Sequence, residues 1–334
     1  MDVANSYLVE DEVGTMIVWK PVLTIMMLSS TLLLCLFGTS CDPPPTHPEF
    51  PQRPGMTLLT PDLGAHGAPT WSPDGQRIAF SSASVPWGSK PPEIYVMDAQ
   101  GGNRVRLTND SYYDTTPAWS PKGDRIAFVS NQDGIYAIYT MNPDGSDVVQ
   151  LVDGQNPAWS PAGEKIAFFA GKHEEEEIFV WEKGQVTRLT RNAYPDSNPS
   201  WSPDGQQIVF VSQRVDTNKD GKFDYDDATQ LYVMNADGTE QRPLLDGPDD
   251  SYLGPAWSPD GRWIVYNHYS HDKNKITVEL FNLGTGQIRL LLNHGRCGGF
   301  AWSPDGKRLA FTVSGDASDI YVMDVAEVLG KPFP

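Results

Sequence analysis

Residues 216–227 read D-T-N-K-D-G-K-F-D-Y-D-D. Asp216, Asn218 and Asp220 stand at positions 1, 3 and 5 of this run, Gly221 at 6, Asp224 at 9 and Asp227 at 12, while Lys222 at 7 offers its backbone carbonyl. Oxygens spaced in this way converge when the chain curls around a hard cation, and glycine is needed where the curl is tightest. The spacing predicts calcium held by Asp216, Asn218, Asp220, Lys222, Asp224 and Asp227. A solvated Asp/Gly surface loop is the competing reading. The segments on either side are strand-like, so no helix pair can open when an ion binds, and the expected role of calcium is structural.

The run resembles an EF-hand-type calcium loop, with Phe223 as the hydrophobic residue at position 8. It departs in having Asp rather than Glu at position 12 and strands rather than helices outside it. In both respects it is more similar to the calcium loops of dockerins and thrombospondin repeats.

Two further residue groups could carry chemistry. His66, His268, His271 and His294 all fall in variable segments, where imidazoles are metal ligands in some proteins and solvated side chains in more. Cys297 lies near His294 in NHGRCGG, but no third group is in place to orient a nucleophile, so a packed thiol is expected. The run HEEEE at 173–177 reads as a solvated charged face.

The chain has 334 residues, 25 Lys and Arg against 43 Asp and Glu, a formal net charge of −18 and 39% hydrophobic residues. That apolar content can build a large core. A surface this acidic repels phosphate backbones and anionic headgroups, which excludes nucleic acid as the expected partner and favours cations and basic partners.

The N-terminal segment differs from the rest. An apolar run at 22–37 follows Lys20 and ends in GTSC, as in an export signal, and Met16 is the better initiator because it leaves a short basic start. The stretch FGTSCD resembles a bacterial lipobox, with Cys41 the residue to be acylated and Gly38 a departure from the preferred aliphatic. Residues 1–41 are therefore expected to be a signal peptide with a lipobox-like end. Pro-rich residues 42–55 would form a stiff tether to the membrane. Cys35 and Cys41 lie in this segment, leaving Cys297 alone in the body and no disulfide framework.

A repeated unit positions everything else. WSPDG or a near relative starts at Trp71, Trp119, Trp159, Trp201, Trp257 and Trp302. Each copy is followed by an apolar run such as RIAF, then one such as IYVMD, then one such as RLT. In Ser-Pro-Asp-Gly the proline presets one turn residue and the glycine supplies positive φ, so strand turns back on strand. The runs RIAF (77–80 and 125–128), KIAF (165–168), QIVF (207–210), WIVY (263–266) and RLAF (308–311) are apolar on both faces. They must be covered on both sides. Five copies have their own fourth strand. The sixth ends at Asp324 without one, whereas MTLLT at 56–60 has that pattern and no copy of its own. The expectation is an all-β, six-bladed β-propeller over 56–325, closed by pairing the N-terminal strand with the last blade. It follows the signal and lipoprotein segment, and 326–334 form a tail.

The motif PxWSPDGxxIAFxS...IYVMDxDGxxxRLT resembles the TolB-type propeller repeat, and the resemblance covers residues 56 to about 325. TolB itself carries an additional N-terminal α/β domain, so a stand-alone propeller, monomeric, is expected. The resemblance implies a non-enzymatic module that binds protein in the cell envelope, exported and held by its lipid anchor on the extracytoplasmic side. In such folds the loops joining second to third strands and those joining blades share one face. That face would carry Asp62, Asp110, Asp114, Asp196, Asp249 and Asp250 with Tyr112, Tyr113, Tyr194 and Tyr252, a rim suited to a basic or amphipathic segment. The alternative is a polysaccharide-binding propeller or a metal-dependent one resembling oligogalacturonate lyases, with the four histidines over the channel. No G-x-S-x-G elbow supports a hydrolase.

Overall fold

The computed structural model describes residues 55–62, 64–84, 90–172, 175–214, 216, 227–247, 250–270, 273–293, 297–314 and 318–326. Among the described residues the strands form six groups of four. The first blade comprises Gly64–Trp71, Arg77–Ser84, Glu93–Asp98 and Val105–Arg106. The second comprises Thr115–Trp119, Ile126–Ser130, Ala137–Met141 and Val149–Asp153, and the third Gln155–Trp159, Lys165–Ala170, Glu177–Glu182 and Gln185–Arg188. The fourth is built from Asp196–Trp201, Gln207–Ser212, Gln230–Asn235 and Arg242–Leu245, and the fifth from Asp250–Trp257, Trp263–Ser270, Lys275–Asn282 and Ile288–Leu292. In the sixth, Cys297–Trp302, Arg308–Ser314 and Ser318–Asp324 are joined by Met56–Leu58 from the other end of the chain. The added strand runs antiparallel, with Met56 opposite Met323, Thr57 opposite Val322 and Leu58 opposite Tyr321. The amide of Leu59 then donates to the carbonyl of Ile320 at 2.8 Å.

The first strand of each blade contacts the first strand of the next, and Cys297–Trp302 contacts Gly64–Trp71, so the contacts run round a ring. The core lies in the six clefts between neighbouring blades. Ile78 and Phe80 pack with Ala310, Ile320 and Val322 of the sixth blade, while Ala79 between them packs with Trp119 and Phe128 of the second. The RIAF pattern thus has a physical meaning: two large residues face the preceding blade, and one small residue makes room for the tryptophan of the following blade. Ala167 with Trp201 and Ala310 with Trp71 repeat the arrangement.

The tryptophans also bond between blades. The indole Nε1 of Trp71 donates to Ala301 O, Trp159 to Ala118 O and Trp201 to Ala158 O, each at 3.1 Å, and Trp302 to Ala256 O at 3.3 Å. The indole nitrogens of Trp119 and Trp257 find no acceptor among the described residues, and there the preceding blade presents Thr70 or Ser200 where the others present alanine. Each bond of this kind contributes about 1 kcal/mol.

In the WSPDG turn, Gly75 N donates to Ser72 O at 2.8 Å, the Ser72 hydroxyl donates to Asp74 Oδ1 at 2.5 Å, and Arg77 N donates to Ser72 Oγ at 2.9 Å. The same serine–aspartate bond recurs at Ser202, Ser258 and Ser303. Serine and aspartate therefore lock the turn that the Pro-Asp-Gly backbone allows.

Every inner strand carries a register shift at the same place. The residue at that point has left-handed φ in all six: Ala68, Thr116, Asn156 and Asn198 at 45° to 52°, and Gly254 and Gly299 at 60° and 61°. Asparagine and glycine accept this conformation readily, while Ala68 and Thr116 hold it at a cost of about 1 kcal/mol each. A bulge of this kind bends the strand locally and increases its twist.

Candidate functional site

Backbone bonds fix where the loops meet. Asp114 N donates to Pro92 O at 2.9 Å, Gly154 N to Tyr136 O at 3.0 Å, Asp196 N to Glu176 O at 2.8 Å and Tyr252 N to Thr229 O at 2.9 Å. Each of these ties the end of a loop between second and third strands to the start of the next blade's inner strand. The two loop classes therefore share one face.

Three of the blade junctions contain one polar frame. At the first, Glu93 accepts hydrogen bonds from the Thr108 hydroxyl at 2.7 Å, from the Arg106 guanidinium and from Asp110 N at 3.2 Å. Thr108 Oγ1 accepts from Ile94 N at 2.9 Å, and Arg106 Nε donates to Thr108 O at 2.7 Å. The third blade repeats this with Glu177, which accepts from Arg188 at 2.6 Å and from Asn192 N at 2.9 Å, while Thr190 Oγ1 accepts from Ile178 N at 2.9 Å. The closing junction has Asp319 accepting from Thr60 at 3.3 Å, with Ile320 N donating to Thr60 Oγ1 at 2.8 Å. An acid at the start of the third strand and a threonine just after the fourth thus pin the root of each of these three connecting loops. Glu177 is buried. The 173–177 run is therefore not a wholly solvated face, because its last member is the acid of this frame.

Two residues on each pinned loop, four positions apart, then face one another: Asp62 and His66, Asp110 and Asp114, Asn192 and Asp196. Their chemistry differs. Asn192 Nδ2 donates to Asp196 Oδ2 at 2.7 Å, the Ser212 hydroxyl donates to Asp196 Oδ1 at 2.5 Å, and Arg214 lies 3.4 Å from Oδ2. Burial pushes the Asp196 carboxyl upward, and Arg214 and Ser212 oppose it. At the closing junction, burial lowers the pKa of His66, whose Nε2 is 3.7 Å from Asp62 Oδ2, and Arg104 bonds the same Asp62 at 2.5 Å. Burial works against ionisation of Asp62, but Arg104 and His66 hold its pKa below the ordinary carboxylate value.

At the Asp110–Asp114 junction two carboxylates face each other beside Glu93, with ligand oxygens of all three within 4.8 Å of one another. Asp114 is 1% exposed, and neither of its oxygens has a donor in hydrogen-bond geometry. Burial pushes its pKa up to about 6, with the hydroxyls of Ser130 and Thr108 partly opposing and the charges of Asp110 and Glu93 reinforcing.

The fifth blade has a different device. His268 lies with Nδ1 3.1 Å from Glu279 Oε1 and Nε2 3.1 Å from Asp250 Oδ2, stacked on Tyr252 at 5.1 Å. Tyr266 donates to Glu279 Oε2 at 2.9 Å.

Of the residues anticipated as calcium ligands, Asp216 is half-buried and Asp227 buried, while Asn218, Asp220, Lys222 and Asp224 lie outside the described residues, as do Cys41, Asp249, His271 and His294. The anticipated rim needs correction. Asp114, Asp196 and Tyr252 are buried, because the start of each inner strand is drawn into a junction, whereas Asp110, Tyr112 and Tyr113 are exposed and Asp62 is largely so. Cys297 is buried and its thiol pushed up to about 12, which leaves it packed and unreactive. The sequence pattern alone does not single out Glu93, Glu177 or Asp319 as frame residues, because each stands one position before the apolar run that marks its third strand. The recurring acid before Ile-Tyr or Ile-Phe is the available signal.

The family model of the TolB beta propeller domain matches residues 57–156 and 215–331. The chain belongs to the TolB β-propeller family. The Tol-Pal system protein TolB of Francisella tularensis subsp. holarctica (strain OSU18) is 33% identical over 101 residues, which are 29% of this chain and 23% of that relative. The match thus spans under a quarter of the relative's length. The solved structure of a putative TolB from Agrobacterium tumefaciens superposes with a TM-score of 0.61 at 21% identity, covering 80% of this chain and 96% of that one. An oligogalacturonate lyase in complex with manganese superposes with a TM-score of 0.56 at 17% identity, covering 83% and 94%. At these identities the likeness is one of fold. Among the described residues, the one group of three possible ligands within 4.8 Å is Glu93, Asp110 and Asp114, and it contains no histidine.

The Asp114 shift gives a signed prediction. A carboxyl whose folded pKa is raised from 3.8 to about 6 contributes stability that is fully present below the lower value and lost as pH rises through the higher one. With a chelator present, the wild-type protein should lose roughly 2 kcal/mol relative to Asp114→Asn between pH 4.5 and 7.5. Urea unfolding of both proteins across that range measures it, and a difference independent of pH would contradict the assignment.

Proposed function

We propose that this chain is an exported, non-enzymatic propeller that binds a protein partner in the cell envelope through its loop-rich face. The observation that carries the reading is the pairing of exposed Tyr112 and Tyr113 with exposed Asp110 on that face, in a chain of net charge −18. Tyrosine offers contact area at a low cost in side-chain entropy, and the carboxylates select a basic or amphipathic segment. Membership of the TolB family, and relatives named as Tol-Pal system proteins, support a protein partner in the envelope. In this proposal Cys41 is acylated, residues 42–55 tether the propeller, and the propeller is monomeric. No helix among the described residues is long and apolar enough to cross a membrane.

A structural calcium ion on the 216–227 loop is part of the proposal and rests on the spacing of Asp216, Asn218, Asp220, Lys222, Asp224 and Asp227. EDTA should lower the melting temperature of the wild-type full chain more than that of an Asp216→Ala, Asp220→Ala variant. Equal shifts would remove the loop from the proposal.

The binding face is tested by placing a photo-crosslinking amino acid at Tyr112, Tyr113 or Val186 in the native membrane. Val186 is exposed on an outer strand. Adducts of one defined mass at positions 112 and 113 but not at 186, weakened by salt, are expected. Equal labelling at 186 would place the contact elsewhere.

A further inference from the structure

We propose that Glu93, Asp110 and Asp114 form a site for a hard divalent cation, clamping the first blade to the second. The proposal is independent of the 216–227 loop and of the identity of any partner.

The argument is a comparison of two copies of one frame within the same chain. In the third-to-fourth blade junction, the buried carboxylate of Asp196 is met by the Asn192 amide, the Arg214 guanidinium and the Ser212 hydroxyl. Asp114 occupies the same register position at the start of the second blade's inner strand. Asp110 stands where Asn192 would, and Gln132 where Arg214 would. An amide donor and a positive charge have been lost from the copy, and a carboxylate gained.

The consequence is visible in the bonding. Asp114 is 1% exposed, and among the described residues neither of its oxygens has a donor in hydrogen-bond geometry; the Ser130 hydroxyl beside it also falls outside that geometry and is the counterpart of Ser212, which does bond Asp196. A buried, uncompensated carboxylate is costly. Arg106 is already committed to Glu93 and to Thr108 O. Three carboxylates against that one guanidinium leave two negative charges, which a single divalent cation balances.

The donor set selects the kind of ion. All ligand atoms are carboxylate oxygens, with no imidazole or thiolate among them, as hard cations require. Their separations, all within 4.8 Å, let the three oxygens share one ion, and a set of flexible carboxylates with room for water suits calcium, which tolerates irregular geometry, better than magnesium, which demands a near-ideal octahedron. Asp110 is exposed, which gives the ion an entry path and room for water ligands. Glu93 belongs to the first blade, Asp114 opens the second, and Asp110 lies on the loop between them. A bound ion therefore holds together two blades and the root of the loop that bears Tyr112 and Tyr113.

The test uses the full chain in an Asp216→Ala, Asp220→Ala background, so that the blade-four loop does not contribute. After stripping with EDTA and dialysis, calcium chloride is titrated in by calorimetry and the melting temperature is followed. One calcium equivalent and a rise of a few degrees are expected, with a smaller rise for magnesium. Adding Asp110→Asn should abolish both while leaving the melting temperature in EDTA unchanged or higher, since the introduced amide can donate to Asp114 as that of Asn192 does to Asp196. Should that variant not fold, Asp114→Asn must give the same loss of calcium response. Calcium uptake that survives these substitutions, or a background protein that takes up neither calcium nor magnesium, overturns the proposal.

Discussion

Each blade of this protein is a four-stranded sheet with two apolar faces, and nothing but another blade can cover either of them. That constraint decides the rest. The middle of the second strand of each blade is buried on both faces, with residues such as Ile78, Ala79, Ile126, Ala127, Ile208 and Val209 at 0% exposure. Such burial is available only if every blade has two neighbours, so the series must close. Met56–Leu58 pairing with Ser318–Asp324 supplies the closure with hydrogen bonds, and Leu59 inserts into the cleft between the sixth and first blades. With one blade made from both ends of the chain, the ring holds the termini together at the cost of a long loop closure, which grows only slowly with chain length.

Once the ring is set, its two faces have different work. The serine–aspartate turns on one face repeat almost without change because they solve a backbone problem. On the other face the acid–threonine frame, joined by an arginine at two of the three junctions, roots the connecting loops, and the residues it leaves facing one another are free to vary. The pairs Asp62 with His66, Asp110 with Asp114 and Asn192 with Asp196 are three solutions on one scaffold. The first and third neutralise themselves. The second keeps an unbalanced buried charge, and buried charge without compensation is the signature of a site rather than of a scaffold.

Much of this was legible in the residues. The sixfold WSPDG repeat and the unpaired IYVMD at 320–324 point to the fold and its closure, because turn chemistry and two-faced apolar strands leave few alternatives. The site was less legible. Asp114 and Asp196 read as rim residues since aspartate in a polar inter-blade loop is ordinarily solvated, and only the hydrogen bonds from their amides to Pro92 and Glu176 reveal that the strand start is pulled inward. The left-handed residues at 68, 116, 156, 198, 254 and 299 were hidden because Ala68 and Thr116 carry no sequence signal for that conformation. The calcium loop stands the other way round: its spacing is plain in the sequence, and four of its six anticipated ligands lie outside the described residues.

Hydrogen exchange of the full chain reads the ring closure most directly. The amides of Leu59 and Asp324 donate to Ile320 O and Gly55 O across the seam, at 2.8 and 2.9 Å. Peptides covering 56–60 and 320–324 should therefore exchange together, and as slowly as the inner core strands that need global unfolding. Exchange of 56–60 at the rate of a free chain while 320–324 stays protected would mean that the ends are not joined, and the assignment of the two faces would fail with it.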